Sequence, residues 1–251
     1  MLRFPSLLRP ALGAVVAAGL LFGAASCDDD PEIVDLLLEV KMMPGGMDYS
    51  PTAIYTINGK AVSFSTLRFY LHDPAVSDGS TSYSTDAYVL ATPGSSTFQV
   101  GQVMNQAYSG FTVNFGIDSA TNHADPTVYD ASSVLAPQSP NMHWSWASGY
   151  IFLRIDGQFD SDGDGTPDTD FEAHLGTDNY YTPITLNGDL EAHDDHIHVE
   201  LAFDPIALFD GFNFGADAAD PSTHTTHTMD NMPMAMAMRG NLSNAFSLLA
   251  D

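Results

Sequence analysis

The chain has 251 residues, 32 acidic against seven basic side chains, and a formal net charge of −25 at pH 7. That balance excludes nucleic acid and anionic membrane surfaces as electrostatic partners, because both need a basic footprint, and it favours cations. Cys27 is the single cysteine, so the rest of the chain offers no disulfide, thiolate metal site or cysteine nucleophile.

The first elements are export signals. Arg3 and Arg9 accompany an apolar run from Ala11 to Leu21, and Gly23-Ala24-Ala25-Ser26 leads into Cys27. A positive region, an apolar core and small residues in that order read as a signal peptide, too short and wrongly flanked for a transmembrane helix. The residues before Cys27 resemble a bacterial lipobox, with Ala24 where leucine is commoner. The expectation is a lipoprotein signal over residues 1–26, lipidation of Cys27, an acidic tether over 27–32 and a single β domain over 33–251. The mature protein would then be an exported bacterial lipoprotein at the periplasmic face of the envelope or the cell surface, held to the membrane by its lipid.

From Val34 the pattern has the short period of strands. Val34 to Met42 is apolar and β-rich. Val62 to Leu71 alternates, with Phe69 and Leu71 on one face and Arg68, Tyr70 and His72 on the other. Further strands are expected at Phe111 to Ile117, Tyr150 to Ile155 and His196 to Phe203. Turn-rich stretches such as Ser77 to Ser84 and Thr92 to Thr97 separate them. Only Pro205 to Phe209 and Asn241 to Leu249 look helical, and Ala216 to Met238 is compositionally biased, rich in methionine. The fold class is all-β: an antiparallel β-sandwich or Greek-key barrel-like domain with a minor C-terminal helix.

The sharpest local motif is the aspartate-rich loop from Asp160 to Asp170. Asp160, Asp162 and Asp164 occupy positions one, three and five of a calcium loop, Gly165 permits the turn at six, the Thr166 carbonyl fills seven and Asp168 nine. Position twelve is Phe171 where an EF-hand has glutamate, so Asp170 is the candidate replacement. The expected role is structural, pinning the connection between two strands. The alternative is a solvated acidic hairpin tip.

Nine histidines are available, and imidazole with thioether suits copper. His196, His198 and Glu200 share a strand face, which describes a metal pair or simply an exposed face. Met229, Met232, Met234, Met236 and Met238 are either soft Cu(I) ligands or adaptable core filler.

The segment Asn141-Met142-His143-Trp144-Ser145-Trp146-Ala147-Ser148-Gly149-Tyr150 resembles the MbnP family, in which a Met-x-Trp-x-Trp motif leads into a Gly-Tyr strand. Other pieces agree in order: Leu67 to Asp73, Phe115-Gly116-Ile117-Asp118 with Asn122-His123, Phe171 to Gly176, His227-Thr228-Met229 and Asn244-Ala245-Phe246. The resemblance covers most of the mature chain. It implies an exported β-rich fold and a mononuclear copper site with histidine ligands; the chain shows no persuasive nucleophile–base constellation, so no enzymatic activity is expected. It also implies a partner, a di-haem peroxidase-like enzyme of the MbnH type that oxidises a tryptophan to kynurenine, which joins the copper site. Carried over residue by residue, His72 and His123 are the first copper candidates, His174 the third, and Trp144 or Trp146 the modified residue. The chain departs from one branch of the family in lacking four cysteines after the His-Leu-Gly piece, and its calcium-like loop is longer than in many relatives. The cofactors expected are copper and calcium. The competing readings are a calcium-stabilised surface module recognising a glycan or protein, and a copper oxidase, which would need an open coordination position and a substrate pocket.

Overall fold

A computed structural model describes residues 32–249 except 96, 146, 147 and 194. The signal peptide, Cys27, residues 27–31 of the tether and Trp146 lie outside the described residues.

Strict alternation makes β1 (Ile33–Met42) a half-buried strand: Val34, Leu36, Leu38, Val40 and Met42 point inward and the residues between them outward. The chain continues through β2 (Tyr55–Ile57), β3 (Lys60–Ser77), β4 (Ser82–Ser84), β5 (Tyr88–Ala91), β6 (Phe98–Met104) and β7 (Tyr108–Phe115). A short helix, α1 (Ser119–Asn122), and an irregular excursion precede β8 (His143–Ser145), β9 (Gly149–Phe159) and β10 (Thr169–Gly176). The last part holds β11 (Thr182–Leu190), β12 (His196–Phe203), β13 (Thr225–His227), α2 (Met232–Ala245) and β14 (Phe246–Leu248).

The strands form two sheets. One has four strands in the order β14-β12-β1-β6. The other has ten, with the path β11-β7-β3-β9-β10-β13, β2, β4 and β5 pairing with β3, and β8 with β9. Phe69 of β3 meets Phe203 of β12 at 4.4 Å between ring centroids and Phe246 of β14 at 5.6 Å, so the core lies between the sheets. The paths have free ends, which makes the architecture a sandwich and not a closed barrel. Most pairs are antiparallel, as expected. Two are parallel, β1 with β12 and β10 with β13, each joining segments far apart in the chain.

The five expected strands are present, and β3 runs further than Val62 to Leu71, through His72 to Ser77. Its expected two-faced character fails at Tyr70, which is as fully buried as Phe69 and Leu71. The excursion between α1 and β8 covers the outer face there. Tyr70 donates to the Val134 carbonyl at 2.9 Å, Tyr150 donates to the Leu135 carbonyl at 2.6 Å, and the two rings meet edge to face at 5.7 Å. The C-terminal helix is real but starts earlier than Asn241, inside the methionine-rich segment. Asn231 caps it, and Pro233 sits in its first turn, where a missing N–H costs nothing. Residues 246–248, expected as helix, instead form β14 against β12. The Pro205 to Phe209 stretch contains only a 3-10 turn, Ala207–Phe209. No helix among the described residues is long and apolar enough to cross a membrane.

Candidate metal centre

Sequence segments that lie far apart converge at one end of the ten-stranded sheet. Asn122, the last residue of α1, is fully buried. Its Oδ1 accepts from the Tyr150 N–H at 2.7 Å and its Nδ2 donates to Asp178 Oδ1 at 2.8 Å. Gly149 makes this approach possible: its φ is +80°, and a Cβ there would lie 2.7 Å from Asn122 Cγ. His123 follows, half-exposed, with Nε2 3.2 Å from Asp178 Oδ2. Burial alone would raise the Asp178 carboxyl, but Ser119, Asn122 and His123 outweigh it and hold the group below the usual carboxylate range.

The parallel pairing of β10 with β13 sets His174 opposite His227, with ring centroids 4.9 Å apart. Thr228, at φ +70°, locks this junction: its hydroxyl donates to the His174 carbonyl at 2.9 Å and accepts from the Gly176 N–H at 3.0 Å. His174 is buried, and its Nε2 lies 2.6 Å from Asp156 Oδ1. Asp156 also takes Arg154 Nε at 2.7 Å; burial would raise its carboxyl, but His174 and Arg154 outweigh that and lower it. His227 is clasped by two carboxylates, with Nδ1 2.7 Å from Asp230 Oδ2 and Nε2 2.8 Å from Glu172 Oε2. Burial would lower the imidazole's pKa, but hydrogen bonds to Asp230 and Glu172 prevail and raise it. Glu172, His174 and His227 bring potential ligand atoms within 4.8 Å of one another.

An open hollow of about 790 Å³ adjoins this group, lined by His123, Trp144, Thr177, Asp178, His227 and Met229. Trp144 is therefore at the hollow that two histidines share. Its tryptophan neighbour in the motif, Trp146, lies outside the described residues.

His72 is not part of the Glu172 group. It is buried, stacks on Tyr88 at 4.2 Å and 14°, and places Nδ1 2.6 Å from the Tyr181 hydroxyl and Nε2 3.2 Å from Asp86 Oδ1. Burial first, then Asp118, pushes the Tyr181 hydroxyl up to about 12. The turn Asp178–Tyr180 is the common element, with His123 bound to Asp178 and His72 to Tyr181. His123, His174 and His72 thus do not fall in one ligand group, and only His123 and His72 bond to residues of this turn and its end. The sequence alone does not mark His227, Glu172 or Asp156 as metal-site residues. His227 was visible in the closing motif, but nothing in its spacing announced that β13 would lie beside β10.

Two other groups have metal-ligand character. On the outer face of the four-stranded sheet, Glu39, His198 and Glu200 lie together, with the Lys41 ammonium 2.8 Å from Glu200 and 3.9 Å from Glu39. In the loop joining β9 to β10, the carboxylates of Asp160, Asp162 and Asp164 gather within 4.8 Å. Asp160 accepts from the N–H groups of Gly163 at 2.7 Å and Gly165 at 2.8 Å, and both glycines have φ near +86°. Burial would raise its carboxyl; the backbone N–H groups, led by Gly165, lower it instead. Asp164 accepts from Thr166 N–H at 2.7 Å, and Asp168 from the Ser161 hydroxyl at 3.1 Å. Asp170 lies on β10, where Gln158 donates to it at 2.9 Å, outside the group of three. The loop follows the C-terminal end of β9, Ser148 at the edge of the hollow precedes its N-terminal end, and His174 pairs with Arg154 midway along it, which leaves the Glu172 group roughly 17 Å from the loop along the strand.

The MbnP family profile matches residues 34–229, which takes in both pairs of interacting histidine segments and the tryptophan motif. No curated protein matches the chain significantly. Among solved structures, MbnP from Methylosinus trichosporium aligns with a TM-score of 0.50 at 13% identity, over 71% of this chain and 78% of that one, a likeness of fold alone. With well over half of its length matched, the chain belongs to the MbnP family of copper-related, non-catalytic accessory proteins.

Proposed function

We propose that this protein binds copper outside the cytoplasm, for storage, scavenging or delivery, through histidines at the end of the ten-stranded sheet. The observation that carries the reading is the convergence of His123, His174, His227 and Trp144, drawn from distant segments, on one open hollow and the group beside it. The donor set fits copper: imidazoles suit it, and a thioether, Met229, lines the same hollow. Carboxylates orient the rings, as is usual behind metal-ligating histidines. A proton on His174 Nε2, donated to Asp156, puts that ring's lone pair on Nδ1. His72, braced by Tyr181 and Asp86, remains a ligand candidate outside the Glu172 group.

Trp144 is the tryptophan we assign to oxidation by a di-haem partner, because its indole borders the hollow. Kynurenine there would supply an aromatic amine, a ligand that indole lacks. The aspartate loop is read as a structural calcium site, remote from copper. Export as a lipoprotein with Cys27 acylated completes the proposal. Cys27→Ala should release the protein from membranes or leave it unprocessed, and unchanged fractionation without lipid on the mature N-terminus would remove that part.

The test is copper titration of purified protein and of single histidine variants. Removing His123, His174 or His227, or His72, should weaken binding by more than the roughly tenfold typical of losing an outer-shell partner. His193→Ala, in an exposed loop, should not. Calcium binding with no copper uptake in any form would point instead to a calcium-stabilised surface module that recognises a glycan or protein.

A further inference from the structure

The methionine-rich segment divides along the period of α2. Met234 and Met238, four residues apart, are fully buried and pack into the core. Met232 and Met236, also four apart, lie on the other face and are 47% and 61% exposed, and Met229, just before the helix, is 67% exposed. These three line a single hollow of about 480 Å³ that shares residues 177–179 and Met229 with the histidine hollow. Exposing three long apolar side chains together has no packing benefit, and the buried pair shows that this helix has a core face available for methionine.

We propose that Met229, Met232 and Met236 form a Cu(I) site of their own, next to the imidazole site and able to exchange an ion with it through Met229. Thioethers are soft, uncharged ligands that favour Cu(I) over hard cations. They carry no proton to lose, so binding here is insensitive to pH across the range in which imidazoles protonate. Met232 and Met236 sit one helical turn apart, which brings their sulfurs to one patch. Asp178 and Arg239 both line the hollow, so the thioethers are not faced by positive charge alone. The inference rests on reading the chain as a copper protein, and adds Met232 and Met236, which that reading does not use, to the Met229 that the two hollows share.

The experiment measures Cu(I) retention by the full exported protein against a Cu(I)-specific chelator, anaerobically with reductant, at pH ~5 where free imidazoles are protonated. The parent should hold Cu(I), with copper–sulfur scattering in its X-ray absorption spectrum. The triple variant Met229→Leu/Met232→Leu/Met236→Leu, which keeps apolar bulk and helix propensity, should lose that retention by roughly tenfold or more in affinity and lose the sulfur signal. Met234→Leu/Met238→Leu should change neither. Equal retention by parent and triple variant overturns the site. Cu(II) binding near neutral pH, followed by electron paramagnetic resonance, reads the imidazole site separately. Its absence, with thioether-dependent Cu(I) retained, would overturn the histidine site and the exchange with it while leaving the thioether site supported.

Discussion

Gly176 is the seat of the Trp144 indole. A Cβ on Gly176 would lie 2.8 Å from the indole Cη2 and 2.6 Å from the Tyr150 carbonyl oxygen, closer than real side chains approach. The glycine that ends β10 and the tryptophan of β8 are therefore spatial partners, and the hollow depends on that contact for its shape. Gly176→Ala should displace the indole or the strand, at a cost of about 1–3 kcal/mol. Thermal melting and near-ultraviolet circular dichroism check this. An unchanged melt with an unchanged aromatic spectrum would show that the indole is not seated there.

His227 ties stability to pH with a definite sign. Glu172 and Asp230 raise its pKa in the folded protein against the opposing effect of burial. A raised folded value means the contribution is complete below the unfolded value near ~6.5 and is lost as pH rises through the folded one. In metal-free protein, the stability advantage of the parent over His227→Gln should therefore shrink as pH rises from about 6 to 8. Copper requires the neutral ring, so affinity at this ligand should rise over the same interval. A pH-independent difference between parent and variant would contradict both halves.

Calcium should raise the melting temperature through the Asp160 loop. At ~100 times its dissociation constant, an ion binding only the native state adds about 2.7 kcal/mol. Asp162→Ala with Asp164→Ala should abolish the rise, and copper binding should survive, because the loop carboxylates and the Glu172 group share no residue and are several strand residues apart. A melt of metal-free protein that ignores both calcium and chelator would refute the calcium assignment.

Tryptophan oxidation should be selective. Protein produced without a di-haem partner should keep both indoles. Co-produced with the partner and given peroxide, it should carry kynurenine at Trp144, seen by peptide mass and new near-ultraviolet absorbance. Oxidation confined to Trp146 would move the modified position, and intact indoles under both conditions would remove the modification from the proposal.

Much of the fold is legible from local pattern, because a strand with one buried face must alternate. Val34 to Met42 announces β1 in this way, and the glycines and aspartates from Asp160 to Asp168 announce the β9–β10 turn. The acidic character and the aspartate loop likewise need no coordinates to be noticed. Local pattern misled where tertiary cover intervened. Tyr70 reads as outward-facing by alternation but is buried, because the excursion carrying Val134 and Leu135 lies over that face. Phe246 to Leu248 reads as helix but is a strand, since the edge of β12 offers it partners that a helix end does not. The candidate metal group was the least accessible to sequence. His174 and His227 meet only through the parallel register of β10 and β13, and parallel pairing leaves no short-range signal because its connection is long. The methionines needed the same information: composition placed five together, and only the packing of α2 decided that Met234 and Met238 enter the core while Met229, Met232 and Met236 face solvent.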